Sequence, residues 1–565
     1  MTVRARHDPT RVVPLPRAGN HDALPPSPRR RPATPGLTPA PRPRGRGAAA
    51  RRLLDSIRAQ PDGQVSPSVY ETGRVVTLAP WLRGQATRVS WLLRQQNPDG
   101  RWGGPGAYGL VPTLSATEAL LTTARRLADG KPSTIRGLST VDRGAVVQAA
   151  VRGLSALRTL LRPTDLDLPD MPAIDLIAPA LVQEINSHLA ADRARPLTGV
   201  MPRSRALPSH PRLGGERLAR LRASVRAGHL LPDKLVHALE VLGDEARGVR
   251  GVMPAVGGTV GASPAATAAW LGSSQPRSAS SRHHLDELVG RTGGPVPCGL
   301  PITAFERSWV LSELGRAGLL APARPRDIVS GLAGALRAGA VAAGPGLPAD
   351  ADTTSASLYA MALAGRPHPV DALWAFETPT HFCTWPGEDG ASPTVNAHVL
   401  EALVTATATP RVDRAVRRVC RWLVDQQHPE GSWSDRWHAS PYYATWCCAL
   451  ALARAGAQRA SLVRAARWVL DSQRPDGSWG LWAGTAEETA YSVMVLTAAE
   501  AAPGHRLPRL AEAITRGNRY LRERVVAKSL PEGPAMWHDK DLYRPDAIIE
   551  GAVLAALHGS DRHKG

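Results

Sequence analysis

Alternation of apolar and polar residues, the mark of a half-buried strand, is nearly absent from this 565-residue chain. Its apolar positions gather instead into helix-length runs that open on a threonine or a small residue. SATEALLTTA (115–124), ATWCCALALARAG (444–456) and ETAYSVMVLTAA (488–499) are three of them. SPAATAAWLG (263–272), TTSASLYAMALAG (353–365) and NAHVLEALVTA (396–406) begin alike. All are rich in alanine and other small residues, which suits helices crowded inside a ring. Three further segments repeat one another: WLLRQQNPDGRW (91–102), WLVDQQHPEGSW (422–433) and WVLDSQRPDGSW (468–479). In each, the helix carrying the first Trp ends near Gln, and Pro blocks its continuation. Asp-Gly or Glu-Gly then turns the chain tightly, and the closing Trp packs back on the helix end. The last two copies stand 46 residues apart, Trp433 to Trp479, which is the span of one helix pair. Stacked helix pairs make either an open solenoid or a closed ring. The expected fold class is all-α, built as α/α barrels.

Length allows two domains of ordinary size and a tail. The net charge of +20 is unevenly spread: residues 1–52 hold twelve Arg against two Asp, about half the surplus. This Pro-rich stretch is too poor in apolar residues to fold, so residues 1–55 are expected to be a disordered tail. Its arginines have no aromatics among them for base stacking, which argues against nucleic acid as a partner. An apolar core of a secretory signal is missing from it, although an organelle transit peptide has a similar composition. Lysine is scarce: Lys131, Lys234, Lys528, Lys540 and Lys564 are the whole set. The preference for Arg fits a GC-rich bacterial genome. No apolar stretch approaches the ~20 residues of a membrane span. The cysteines Cys298, Cys383, Cys420, Cys447 and Cys448 lack a CxxC spacing and read as buried thiols in a reducing bacterial cytoplasm.

One segment raises a chemical question. LPADADTTSASLYAMAL (347–363) opens an apolar helix with Asp350, Asp352 and two threonines. Asp and Thr cap helices, and capping alone could explain them. Alternatively, one of the aspartates is a buried acid. If the Thr-initiated helices are the inner ring of a barrel, their N-termini gather at one end, and the pair faces a pocket there. Burial and a neighbouring carboxylate both raise a carboxyl pKa above the ordinary ~3.9, while a helix N-terminus favours the anion.

With the Gln…Asp-Gly-Ser-Trp turns, the DADTT segment resembles the motifs of the class II terpene cyclases, whose acid motif is DxDD. QVSPSVYETGRV (64–75) and GTVGASPAATAAWL (258–271) are similar to further segments of that family. FCTWPGEDGASPTVNAHVLEAL (382–403), SDRWHASPYYAT (434–445) and MWHDKDLYRPDAII (536–549) resemble its bacterial diterpene branch. The likeness runs from about residue 64 to 556. It implies two α/α barrels: γ at 76–315, inserted between an N-terminal β-domain helix at 56–75 and the rest of β at 316–560. It implies an enzyme that protonates a linear prenyl diphosphate and cyclises it through carbocations with the diphosphate retained. The class I metal signatures DDxxD and NSE do not occur.

By motif position Asp352 matches the proton donor and Asp350 its flanking acid, while Thr353 stands where the family usually has a third Asp. That departure resembles drimenyl diphosphate synthase, so farnesyl diphosphate is the expected substrate and drimenyl diphosphate the product. The alternative is geranylgeranyl diphosphate going to a copalyl-type diphosphate. A rival of another class is a non-catalytic helical toroid that binds protein. Cation-stabilising aromatic walls are expected from Phe305, Trp309, Tyr359, Trp374 and Trp385, each of which could equally be core. The diphosphate needs cations, expected to be Lys540 and Arg544, together with Mg²⁺ whose protein ligands the sequence leaves open. His398 and His438 could orient an acid or accept a final proton. Trp102, Trp433 and Trp479 are expected to be structural.

Overall fold

The computed structural model describes residues 44–562 apart from 129–137, 163–167, 195–205, 209, 273–277, 389, 457, 503–506 and 527–532. Most of the expected tail lies outside these. The first described helix, Arg44–Ala59, begins inside the stretch expected to be disordered. Ala50, Leu53, Leu54 and Ile57 line up at helical spacing and are all buried, so an amphipathic stripe was present behind the arginines.

Six helices close a ring: Thr303–Arg316, Ala351–Leu363, Pro393–Thr405, Pro441–Arg454, Ala486–Ala501 and Asp546–Arg562, the last packing back on the first. Four of them are Thr-opened, Ala-rich runs of the sequence, and the remaining two such runs lie in the smaller ring. An inner helix is covered on nearly every side, so its residues are small and its apolar positions show no single face. The outer helices do show one. Pro410–Asp425 buries Val412, Ala415, Val419, Cys420 and Leu423 and turns five arginines outward or sideways. Side-chain caps start four inner helices, from Asp350, Ser392, Ser440 and Thr485. A second, smaller ring is formed by Val69–Leu78, Leu110–Ala128, Ile174–Ala194, Asp233–Ala246 and Pro264–Leu271.

Each ring has its own apolar core. One runs from Val69 to Ile302, and the other combines Ala50–Ile57 with Cys298 and Trp309–Ala556. The inserted barrel is therefore bounded near residues 69 and 302 rather than 76 and 315. Thr303–Arg316 is an inner helix of the second ring, and Val69–Leu78 is an inner helix of the first.

The Gln-to-Trp turns are alike at all three sites. Trp102, Trp433 and Trp479 are fully buried, and their indole N–H groups donate to Leu92, Leu423 and Val469 at 2.7, 2.8 and 2.7 Å. Gln96, Gln427 and Gln473 each donate to the glycine carbonyl of the turn and to a carbonyl of the next outer helix. The turn glycines need their freedom. Gly477 has φ +88°, and an added Cβ would meet the Arg516 carbonyl oxygen at 2.9 Å. Gly477→Ala is expected to destabilise the chain by about 1–3 kcal/mol, read as a lowered thermal midpoint. An unchanged midpoint would mean that the turn relaxes freely.

A short hairpin joins the two barrels and was not expected from the sequence. Trp537–His538 pairs antiparallel with Leu542–Tyr543, and its tip, Asp539-Lys540-Asp541, enters the inserted barrel. Lys540 is fully buried there. Its ammonium meets Glu71 at 2.5 Å, Glu240 at 2.9 Å and the Ser263 hydroxyl at 2.7 Å. Asp541 accepts from the Ser68 hydroxyl and the Val69 and Tyr70 N–H groups, closing the start of the Val69–Leu78 helix. All five cysteines are buried and unpaired. Among the described residues no helix is long and apolar enough to cross a membrane.

Candidate active site

A cavity of about 520 Å³ lies where the hairpin, the inserted barrel and the N-terminal ends of the larger ring's inner helices meet. Its size suits a ligand of some tens of atoms. Asp350, Asp352 and Thr353 open onto it, at the start of the Ala351–Leu363 helix. Both readings of the aspartates hold for Asp350. It caps the helix, accepting from the Thr353 N–H at 2.5 Å and from the Thr353 hydroxyl at 3.0 Å, and it is also an acid in the cavity wall. Burial pushes its carboxyl up to about 7; the Thr353 N–H pulls it down, and the charge of Asp352 raises it again.

Asp352 is not a cap. Its side chain is 15% exposed, and Oδ1 lies 2.7 Å from Nδ1 of the buried His398. Burial opposes charge on that imidazole, but the Asp352 carboxylate outweighs it and His398 is raised above the usual histidine value. Trp309 stands edge-on to His398, with ring centroids 5.0 Å apart, and donates its indole N–H to the Tyr443 hydroxyl at 3.0 Å. The open wall is aromatic: Phe305, Trp385, Trp437, Tyr443, Trp537 and Tyr543 all line it.

Several expected residues stand elsewhere. Lys540 is spent on Glu71 and Glu240 between the barrels, so it does not line the cavity. Burial works against its ammonium, yet the two carboxylates outweigh this and raise its pKa. Arg544 is likewise off the cavity wall, donating to Asp546 at 2.7 Å and to the Gly533 carbonyl at 3.0 Å. Tyr359 borders a second, smaller space behind the acid, and Trp374 packs on the outer core under Arg411. His438 sits in the wall behind Tyr443, stacked on it at 4.7 Å and tied to Glu487 at 3.1 Å. In each case local sequence placed the residue close to a motif but could not say which way it faced.

The cations that do reach the cavity come mostly from the inserted barrel and were missed. They are Arg217, Lys234 and His237, joined by Arg436 from the larger ring. Lys234 donates to the Gly387 carbonyl at 3.5 Å and has no ion pair among the described residues. Arg436 reaches across to Asp170 at 3.0 Å. His237 holds Asp539 at 2.6 Å and the Gly261 carbonyl at 2.6 Å through its two ring nitrogens. Burial opposes its charge, but Asp539 outweighs that and raises its pKa. Of the scarce lysines, it is Lys234 rather than Lys540 that reaches the cavity. Among the described residues no group of three His, Cys, Asp or Glu side chains is placed to hold a metal.

An acidic pair thus opens into an aromatic chamber between two α/α barrels, an arrangement suited to starting a reaction by protonation. Comparison with known proteins agrees. Residues 388–529 match the squalene-hopene cyclase C-terminal domain family. The chain is 43% identical over 524 residues to the ent-copalyl diphosphate synthase of Streptomyces sp. (strain KO-3988), covering 91% of this chain and 96% of that one. It is 41% identical over 553 residues to the labda-7,13-dienyl diphosphate synthase of Streptomyces clavuligerus, covering 93% and 95%. The solved structure of ent-copalyl diphosphate synthase from Streptomyces platensis superposes with a TM-score of 0.83 at 42% identity, covering 92% of this chain and all of that one. The chain belongs to the class II terpene cyclases, which makes it an enzyme and removes the binding toroid as a reading.

Proposed function

We propose that this cyclase converts geranylgeranyl diphosphate to a bicyclic copalyl-type diphosphate, with the diphosphate retained. The observation that carries the reading is Asp352, opening into an aromatic chamber and held from behind by His398. An alkene is a very poor base, so its proton must come from an acid kept out of bulk water. The hydrogen bond from His398 to Oδ1 stabilises the carboxylate that remains after transfer, and the other carboxyl oxygen is left to carry the proton. Asp350, fixed by Thr353 and pushed up to about 7 by burial, limits the negative charge beside it. Cations then travel along Phe305, Trp385, Trp437, Tyr443, Trp537 and Tyr543, whose ring faces favour positive charge. Arg217, Lys234 and Arg436 are the groups for the diphosphate.

The twenty-carbon substrate replaces the farnesyl reading. That reading rested on Thr353, whose hydroxyl serves Asp350 and carries no information on chain length. The copalyl and labdadienyl names of the relatives favour the longer chain. Mg²⁺ is proposed to arrive with the diphosphate, as it commonly does where a protein offers no cage of its own; no step depends on it here. The test is incubation with geranylgeranyl and farnesyl diphosphates, followed by phosphatase treatment and product analysis, with and without EDTA. A bicyclic twenty-carbon alcohol is expected, at a rate lowered by EDTA and restored by Mg²⁺. Turnover of farnesyl diphosphate alone would overturn the substrate while leaving the class intact.

A further inference from the structure

Behind Asp352 a chain of hydrogen-bonding side chains runs through the larger ring, and its direction is set at the far end. Trp309 donates its indole N–H to the Tyr443 hydroxyl at 3.0 Å. An indole can only donate, so Tyr443 accepts there and its own O–H points elsewhere. Cys447 stands one turn further along the same helix, Pro441–Arg454, and its thiol is hydrogen-bonded to that hydroxyl. Cys447 Sγ in turn lies 3.7 Å from Nε2 of His398. Burial pushes the Tyr443 hydroxyl and the Cys447 thiol well up, so both keep their hydrogens. With Tyr443 donating to sulfur, the S–H is left for Nε2, which then accepts. The other ring nitrogen, Nδ1, therefore carries the hydrogen and donates to Asp352 Oδ1 at 2.7 Å.

The order matters because Asp352 and His398 compete for one proton. With that proton on its second oxygen, Asp352 is an acid able to protonate an alkene. With it on Nε2, the pair is a carboxylate and an imidazolium, and Asp352 has nothing to give. Burial works against the imidazolium, Asp352 and Glu401 favour it, and Arg316 opposes it, so the group that meets Nε2 weighs in the balance. A carbonyl or carboxylate there would draw the proton onto the ring. A thiol that donates, and accepts poorly, leaves it on the carboxyl. We propose that Cys447, Tyr443 and Trp309 are positioning residues that hold His398 as its Nδ1–H tautomer and thereby keep the transferable proton on Asp352. This gives Trp309, which borders the small space behind the acid, a role through its N–H rather than its ring face.

The proposal rests on Asp352 being the acid, and its test separates the two claims. The direct reading is the nitrogen NMR spectrum of the full chain carrying isotope-labelled histidine at neutral pH, with His398 assigned by the signal lost in His398→Gln. His398 is expected to show a protonated Nδ1 and a bare Nε2. A proton on Nε2 in the wild-type enzyme would overturn the proposal, and this reading needs no change at Cys447. Cys447→Ala removes the donor, so Nε2 should gain protons and kcat should fall about threefold to tenfold with KM unchanged, the worth of one weak hydrogen bond. Cys447→Ser restores a donor, and with it the Nδ1–H spectrum and a kcat within about twofold of wild type. Equal losses in the two variants, or no loss in either, would make Cys447 a packing residue only and overturn the proposal. Asp352→Asn, run beside them, must abolish turnover; if it cyclises, the acid is misassigned, whatever the tautomer of His398.

Discussion

Asp352→Asn is expected to lower the cyclisation rate by about 10⁴-fold, the upper end of what losing a positioned acid costs. The amide oxygen can still accept from His398 Nδ1, so the 2.7 Å contact and the helix start survive while the transferable proton does not. Thermal stability should stay close to wild type, because the helix cap is Asp350 rather than Asp352. The measurement is product formed from geranylgeranyl diphosphate at saturating enzyme, set beside an unfolding curve. A variant that kept more than about a tenth of the rate would remove Asp352 from the role. Asp350→Asn makes a useful contrast. It keeps a cap of similar strength but loses the acid in the wall, so its effect on rate should be smaller than that of Asp352→Asn.

Lys540→Met should produce the largest loss of stability of any single change here. The side chain is fully buried, and its removal leaves Glu71 and Glu240 facing one another without the cation that holds both. Breaking a buried ion pair by removing one partner costs about 3–5 kcal/mol. Glu71 is already raised by burial, with Lys540 pulling it back, so the variant takes up protons more readily than the wild type. Its deficit should therefore be smaller at pH 5 than at pH 8, where both carboxylates would have to stay charged. A fall in thermal midpoint on the order of 10 °C at neutral pH is the expected reading. An unchanged midpoint would show that the barrels are held by their apolar contacts alone, and would return Lys540 to the pool of groups free for substrate.

How far the chain could be read without coordinates differs by scale. The three Gln-to-Trp turns are local objects, each with its helix end, its glycine and its tryptophan within twelve residues, and they stand in the structure as expected. The all-α class and the inner helices followed from composition, since a helix covered on all sides shows itself by small residues throughout. Asp350 and Asp352 were found because both lie in one helical turn, so their shared direction is local as well. His398 was named but its partner was not: Asp352 lies 46 positions away along the chain, and only the packing of two neighbouring inner helices brings the rings and carboxyls together.

The errors share one cause. Lys540 in MWHDKDLY was expected to meet the diphosphate because lysine is scarce, whereas the segment is a hairpin whose tip crosses into the other barrel. A buried lysine and a substrate-binding lysine have the same letter; what separates them is whether carboxylates from positions 71 and 240 arrive beside it. Arg217, Lys234 and His237 belong to no recognisable motif, and they reach the cavity only because the inserted barrel closes over it.

The sequence alone determined the helical class, the repeated turns, the family and the acidic pair, since each is written in residues near one another in the chain. Tertiary structure alone decided which cation reaches the cavity and which locks the barrels, and what lies behind Asp352. Those depend on contacts between segments hundreds of residues apart, where burial and charge are set by neighbours that no local pattern records.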